Sequence, residues 1–259
     1  HIMILIDDPN GSVVEKAWEA ASASGDAPCY DTDLMENAGH LKGFFLGSNS
    51  EAAKGVVDAL TALKGDEKDK MLFAVGDGNH SLASAKAHWD NIKANLSEEE
   101  CLNHPARYAL AEIVNIHDKG LDFEPIHRVV FGISRDEFIA KATEHFTPCG
   151  LSVPDKATGA AQEFVITSPD GADLYMSMTN PPHSLAVGSV QMFIDEMNYD
   201  VDYIHGEDSV RKLSSDSSSS VGILMPDISK NAFFDTIAKE GVFPRKTFSM
   251  GEAFEKRFY

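Results

Sequence analysis

Met71-Leu72-Phe73-Ala74-Val75 runs without a break into Gly76-Asp77-Gly78-Asn79-His80-Ser81, and an Ala-rich segment from Leu82 to Asn95 follows. A run of apolar residues this long suits a buried strand, and alanine favours a helix because ordering it costs no side-chain entropy. The glycines between them permit a tight turn. The pattern predicts that Asp77, Gly78, Asn79 and His80 lie on the turn between a buried strand ending near Val75 and a helix starting within two residues of Ser81.

The rest of the chain mixes the two periodicities. Ile2–Ile6 reads as a buried strand closed by Asp7-Asp8-Pro9-Asn10-Gly11. Ser12 is a candidate N-cap for a helix carrying Val13, Val14, Ala17 and Trp18 on one stripe. Glu51–Leu63 reads as a second helix with Val56, Val57, Leu60 and Leu63 facing inward, and Phe44–Leu46 between them is strand-like. Strands are expected at Tyr108–Ile116, Ile126–Phe131 and Val221–Met225, and helices at Arg135–Phe146, Ser209–Leu213 and Ser229–Lys239. Phe164–Thr167 and Leu174–Met178 form a hairpin pattern around Ser168-Pro169-Asp170-Gly171. These alternations predict an α+β fold, with mixed sheet(s) flanked by helices, and no internal repeat. The division expected is residues 1–132, carrying the Gly-rich strand–loop–helix site, and 133–259, an α+β region packed on the first. Ser214–Ser220, small and polar, is expected to be an exposed, poorly ordered loop.

A chain of 259 residues with 43% hydrophobic content can bury a sizeable core. Its 22 Lys and Arg against 41 Asp and Glu leave a formal charge of −19, which repels a phosphate backbone at long range and argues against direct nucleic-acid binding. Cys29, Cys101 and Cys149 have neither zinc nor redox spacing and read as reduced, mostly buried thiols. No stretch approaches the roughly 18–20 apolar residues needed to span a bilayer, so no membrane partner is expected and the chain reads as cytoplasmic.

A helix start exposes unpaired amides and a partial positive charge, so the turn can cradle an anion. Gly76 and Gly78 allow close backbone approach and positive φ. Asp77 is a candidate metal ligand or base, Asn79 and Ser81 are candidate caps, and His80 can donate to a bound phosphate or exchange a proton. The same residues also suit a plain tight turn with a packing histidine. They match neither the Gly-x-x-x-x-Gly-Lys-Ser/Thr phosphate loop nor the Gly-x-Gly-x-x-Gly dinucleotide fingerprint, since position 81 is Ser. Cations for an anionic ligand can come from Arg128, read with His127 at a loop-to-strand junction, or from Arg245 and Lys246 beside Thr247. The blander readings there are an ion pair and a solvated terminal strand. His104, His117, His183 and His205 lack the His-Glu-x-x-His spacing. Glu207-Asp208 reads as a helix cap or, alternatively, a Mg²⁺ pair.

Ile4–Pro9, Phe73–Ala83, Glu124–Arg128, Tyr203–Asp208 and Pro244–Phe248, taken in order, resemble domain-of-unknown-function family 1015. The resemblance spans essentially the whole chain, which corresponds to the C-terminal two-thirds of a longer member and so implies a missing upstream segment. The family's loop reads Asp-Gly-His-His-Arg and is similar to the nucleotide-binding motif of the ParB, sulfiredoxin and free serine kinase superfamily. Asp77, Gly78 and His80 match it, whereas Asn79 replaces the first His and Ser81 replaces the Arg, removing a cationic clamp. The resemblance implies a nucleotide-dependent small-molecule phosphotransferase using ATP, ADP or another nucleotide with Mg²⁺. The alternatives are a non-catalytic nucleotide- or metabolite-binding module and the structural half of a larger enzyme. The partner expected is a small-molecule anion.

Overall fold

The computed structural model describes residues 2–168 and 172–250, which build the expected α+β architecture of sheets flanked by helices. The chain divides into two compact units, one ending at Leu121 and one beginning at Asp122. This division precedes the strand Phe123–Phe131 rather than following residue 132, because that strand's ladder partners are all later in sequence.

In the first unit β1 (Ile2–Ile6) is followed by α1 (Val14–Ala23), the hairpin strands β2 (Tyr30–Asp33) and β3 (His40–Gly43), and α2 (Glu51–Lys64). Then come β4 (Ala74–Asp77), α3 (Asn79–Lys93), α4 (Glu98–Asn103) and β5 (Ala111–Asn115). The sheet has order β4-β1-β5 and is mixed: β1 runs antiparallel to β4 and parallel to β5. Leu5 and Ile6 of the central strand are fully buried.

Local hydrogen bonding moved several boundaries away from those the sequence predicts. Ser12 does not cap α1; it donates to Asp8 Oδ1 at 2.9 Å, while Asp8 Oδ2 accepts the Val13 amide at 2.8 Å. Asp8 is buried, and Asn115 Nδ2 donates to its carbonyl and to Glu15 Oε1, tying α1 to β5. Phe44–Leu46 lies past the end of β3, whose ladder closes where Cys29 donates to the Gly43 carbonyl. The stripe expected on α2 is not buried, and Val57 is exposed. Met71–Phe73 stays outside β4, since Lys64 Nζ gathers the carbonyls of Glu67, Lys68 and Lys70 and holds the preceding segment in a separate turn. Tyr108 and Leu110 are exposed because a short 3-10 turn at Pro105–Arg107 delays the start of β5. None of the three free cysteines is buried: Cys29 is exposed and Cys101 and Cys149 are half-buried.

The second unit contains β6 (Phe123–Phe131), α5 (Arg135–Phe146), β7 (Leu151–Ser152), β8 (Gln162–Ile166), β9 (Leu174–Met178) and α6 (Ala186–Met197). It continues with β10 (Asp200–His205), α7 (Glu207–Ser215), β11 (Ser220–Leu224), α8 (Lys230–Glu240) and β12 (Phe248–Met250). Its sheet is antiparallel, in the order β10-β6-β11-β8-β9-β7, with β12 on the start of β6. Phe138 and Phe146 of α5 and Phe193 of α6 pack with Val130, Ile166, Met176 and Ile223 into one core, while Val210 of α7 joins Val129 and Leu224 in another. β8 and β9 pair as the predicted hairpin; its turn residues 169–171 lie outside the described residues.

The serine run departs at its two ends only, since residues 215–219 are exposed as expected. Ser214 and Ser220 are buried, the first inside α7 and the second opening β11. Ser220 Oγ donates to the Ser214 and Ser217 carbonyls, and Ser214 Oγ shares a hydrogen bond with Thr167 Oγ1 at 3.1 Å. Hydroxyls that find partners can be buried. Gly222 completes this contact: a Cβ there would meet Thr167 Oγ1 at 2.4 Å, Val210 Cγ1 at 2.8 Å and Ser214 Oγ at 2.9 Å.

His127 sits within β6, not at a junction, and its Nδ1 accepts the Met225 amide at 3.0 Å. Burial pushes its pKa below the usual 6.5; the carboxylate of Glu207 opposes this and the charge of Arg128 adds to it. A base whose folded pKa is lowered contributes stability that is complete above its unfolded value and lost as pH falls through the window below it.

Two outcomes follow from this packing. Gly222→Ala should destabilise the protein by about 1–3 kcal/mol through overpacking, seen as a lower urea midpoint; an unchanged midpoint would show that the serine contact yields freely. The decline in urea midpoint on acidification below about pH 6.5 should become shallower in His127→Gln. An equally steep decline would assign it to other groups.

Candidate functional site

β4 delivers the chain to the turn at Asp77, whose position opposite Met3 on β1 is fixed by the ladder. Gly78 is the N-cap of α3, with φ 80° and ψ 21° in the left-handed region that favours glycine. Gly76 belongs to β4 and is not among the positive-φ glycines, so only one of the two glycines uses its special freedom. The turn is therefore shorter than expected, with Asp77 ending the strand and Asn79 already helical.

No side chain caps this helix: Asn79 and Ser81 lie inside it, and the first turn holds no acidic residue. The first helical bond runs from the Leu82 amide to the Gly78 carbonyl at 2.9 Å, which leaves the amides of Asn79, His80 and Ser81 without a helical acceptor. Asp77 Oδ1 accepts the Gly78 amide at 2.7 Å and stiffens the turn. Asp77, Asn79, His80 and Ser81 are all exposed. Among the described residues no three His, Cys, Asp or Glu side chains gather in a metal-binding group, so Asp77 stands without protein co-ligands.

The other candidates belong to the second unit. Arg128 lies mid-strand and is 0% exposed. One guanidinium nitrogen donates to the Ile126 carbonyl, another reaches Gln191 Oε1 at 3.5 Å, the group lies 5.2 Å from the Tyr203 ring, and Nε has no partner. Burial lowers its pKa to about 10, so it stays charged at neutral pH without a carboxylate among the described residues. It is thus neither a surface ion pair nor accessible to a ligand in this conformation.

Arg245 and Lys246 form an exposed turn ahead of β12, with Lys246 at φ 56°. Thr247 is buried, donates to the Pro244 carbonyl at 2.6 Å and accepts the Ile126 amide on its own carbonyl at 3.3 Å. The register brings Thr247 beside the start of β6, two residues from Arg128, but leaves the Arg245 and Lys246 side chains in solvent while Arg128 is enclosed.

Two features escape the sequence reading. Arg211 binds Asp173 with two nitrogens, at 3.1 and 2.7 Å, and also Glu207 at 2.6 Å; its pKa is raised by these carboxylates and that of Asp173 lowered by Arg211. The Glu207–Arg211 spacing of four residues signals half of this clamp, but Asp173 comes from a distant strand edge. His117 Nε2 lies 2.6 Å from Asp7 Oδ1 where the parallel strands β1 and β5 end. Each unit also holds a cavity, of about 570 Å³ beside α1 and α2 in the first and about 390 Å³ at the starts of α6 and α8 in the second; Thr247 lines the latter. Gly76–Ser81 lines neither. No helix among the described residues is long and apolar enough to cross a membrane.

No curated protein matches the chain significantly. Among solved structures it is similar to a conserved hypothetical protein from Pyrococcus furiosus, at 12% identity over 70% of this chain and 71% of that one, with a TM-score of 0.43. It is also similar to mutants of a free serine kinase in complex with AMP (12% identity, 96% of this chain, 83% of that one, TM-score 0.45) and with ADP (12%, 96%, 84%, 0.44). The model of the family described as "Protein of unknown function (DUF1015)" matches residues 1–199, and the chain therefore belongs to that family.

Proposed function

We propose that the junction of β4 and α3 binds a phosphate group of a small-molecule ligand, a nucleotide such as ATP or ADP in the first instance. The observation that carries this reading is the uncapped start of α3: a left-handed Gly78, amides at Asn79, His80 and Ser81 without helical acceptors, and no carboxylate in the first turn. A helix start so left stabilises an anion through its amides and its partial charge together. His80 in that first turn can add a donor to a phosphate oxygen, and Asp77 can share a Mg²⁺ with phosphate oxygens and water, the usual arrangement for that ion. In a phosphotransferase these residues would neutralise charge developing on the transferred group, with Asp77 as base or metal ligand.

The second reading, a nucleotide- or metabolite-binding module without turnover, is favoured by the exposure of Asp77 and His80. Catalytic proton transfer in water-filled surroundings gains little from preorganised charge, whereas anion binding at a helix start tolerates them.

Thermal-shift measurements with ATP, ADP and CTP, each with Mg²⁺, test the binding step. A ligand at one hundred times its Kd stabilises by about 2.7 kcal/mol, and the reading fails if none of the three raises Tm. Ser81→Glu supplies the control: a carboxylate in the first turn should leave stability equal or higher by about 0.3–1 kcal/mol while abolishing the nucleotide shift. Retention of the full shift in Ser81→Glu would move the ligand elsewhere. ADP release from ATP by wild-type protein but not by Asp77→Asn or His80→Ala would select the phosphotransferase; undiminished binding without release would select the module.

A further inference from the structure

The cavity described in the first unit, about 570 Å³, opens between the end of α1 and the start of α2 and has the size of a small-molecule site. Its floor is made of small residues, Ala20, Ala21 and Ala52, and its wall is the irregular segment Phe44–Gly47. Phe45 stands there 81% exposed. Trp18 packs edge-on against Phe44 at 5.5 Å, so the wall is backed by a second aromatic ring. Phe45 together with the half-exposed Trp18 leaves aromatic surface in solvent beside this groove, the kind of apolar patch that marks a binding surface.

The charge of this groove is one-sided. Its charged lining residues are Asp26 and Glu51, both carboxylates. α1 ends here with no basic residue in its last turn, so its terminal carbonyls add partial negative charge. The opposite partial charge at the start of α2 is answered in part by Ser50 Oγ, which accepts the Ala53 amide. Lys42 reaches the Phe44 ring at 5.7 Å but is held by Asp31 at 2.8 Å, so its charge is already matched. Aromatic rings and carboxylates around small apolar residues suit an organic cation: the acids attract its charge, and the rings, the alanines and Leu46 accept its body.

We propose that this groove binds a small organic ammonium ion with an aromatic or aliphatic body, its charge toward Asp26 and Glu51 and its body against Phe44, Phe45 and Leu46. The site is independent of the phosphate reading at α3, because a groove of this polarity repels anions. Both carboxylates are exposed, so their contribution is modest and weakens with salt.

Calorimetric titration of the full chain with 2-phenylethylamine, 2-phenylethanol and phenylacetate tests the assignment. The amine should bind about tenfold tighter than the neutral alcohol of the same shape, and phenylacetate should not bind. The paired substitutions Asp26→Asn and Glu51→Gln should bring the amine down to the affinity of the alcohol, with an unchanged circular dichroism spectrum. Phe45→Ala, a surface change that does not threaten folding, should weaken amine and alcohol alike. Equal affinity for amine and alcohol, no amine binding at millimolar concentration, or undiminished amine binding in the double variant would each overturn the proposal. Ser81→Glu should leave amine binding intact, which separates this outcome from failure of the nucleotide reading.

Discussion

Along both edges of β6 the backbone is occupied: β10 pairs with Ile126–Phe131 on one side, and β11 and then β12 with the two ends of the strand on the other. A strand held in this way has a fixed parity, and its side chains are sorted to opposite faces in alternation. Val130 enters the core built with α5 and α6, and Val129 the one built with α7. Arg128 shares the parity of Val130, so it is carried inward and its guanidinium reaches Gln191 of α6. The charge it brings is desolvated and, among the described residues, is met by the Ile126 carbonyl, Gln191 and the Tyr203 ring rather than by a carboxylate. The larger unit is thus organised by one ladder that fixes the hydrophobic layers and also imposes a buried cation.

Helix Arg135–Phe146 was legible to the residue because its signals are local: Ser134 accepts the Glu137 amide, acids follow in the first turn, and Phe138, Ala142 and Phe146 recur at helical spacing and are all buried. The β8–β9 pairing was legible for the same reason, with adjacent strands and a short connection. Phe44–Leu46 and Met71–Phe73 failed as strands because apolar composition does not supply a partner backbone. The ladder beside the first ends at Cys29, and Lys64 binds carbonyls in the segment preceding the second. The serine run departs in the opposite sense and only at its ends: residues 215–219 are in solvent as its composition suggests, but Ser214 and Ser220 are buried through hydroxyl bonds to Thr167 and to the Ser214 carbonyl, which no local pattern reveals. At the candidate site, the sequence located the strand, the turn and the helix start. It did not show that Gly78 alone takes the left-handed conformation, that the helix has no side-chain cap, or that Arg128 is enclosed.

A net charge of −19 makes local polarity decisive. At physiological ionic strength the field of distant carboxylates fades over about 8 Å, so a ligand at the surface senses its immediate neighbours more than the total. The start of α3 is a small positive feature in an acidic chain, made of backbone rather than of side chains. The groove beside α1 has the opposite sign. The two proposed sites, of opposite polarity, are compatible within one unit because each is set by which helix end faces the ligand and by whether a carboxylate has been placed in the turn.

The parallel pairing of β1 with β5 sets Ile2 against Ala111 and Ile6 against Asn115. A growing chain emitted from a ribosome exposes Ile2–Ile6 long before the strand that completes the sheet's second edge has been made. Closing so long a loop is entropically slow and is rewarded only once the distant strand arrives. The pairing of β1 with β5 must therefore wait during synthesis, whereas the β8–β9 hairpin of the second unit can form as soon as it is made. The edge of β1 that takes β5 is consequently left to the late arrival of its partner and is a place for misassociation in the growing chain.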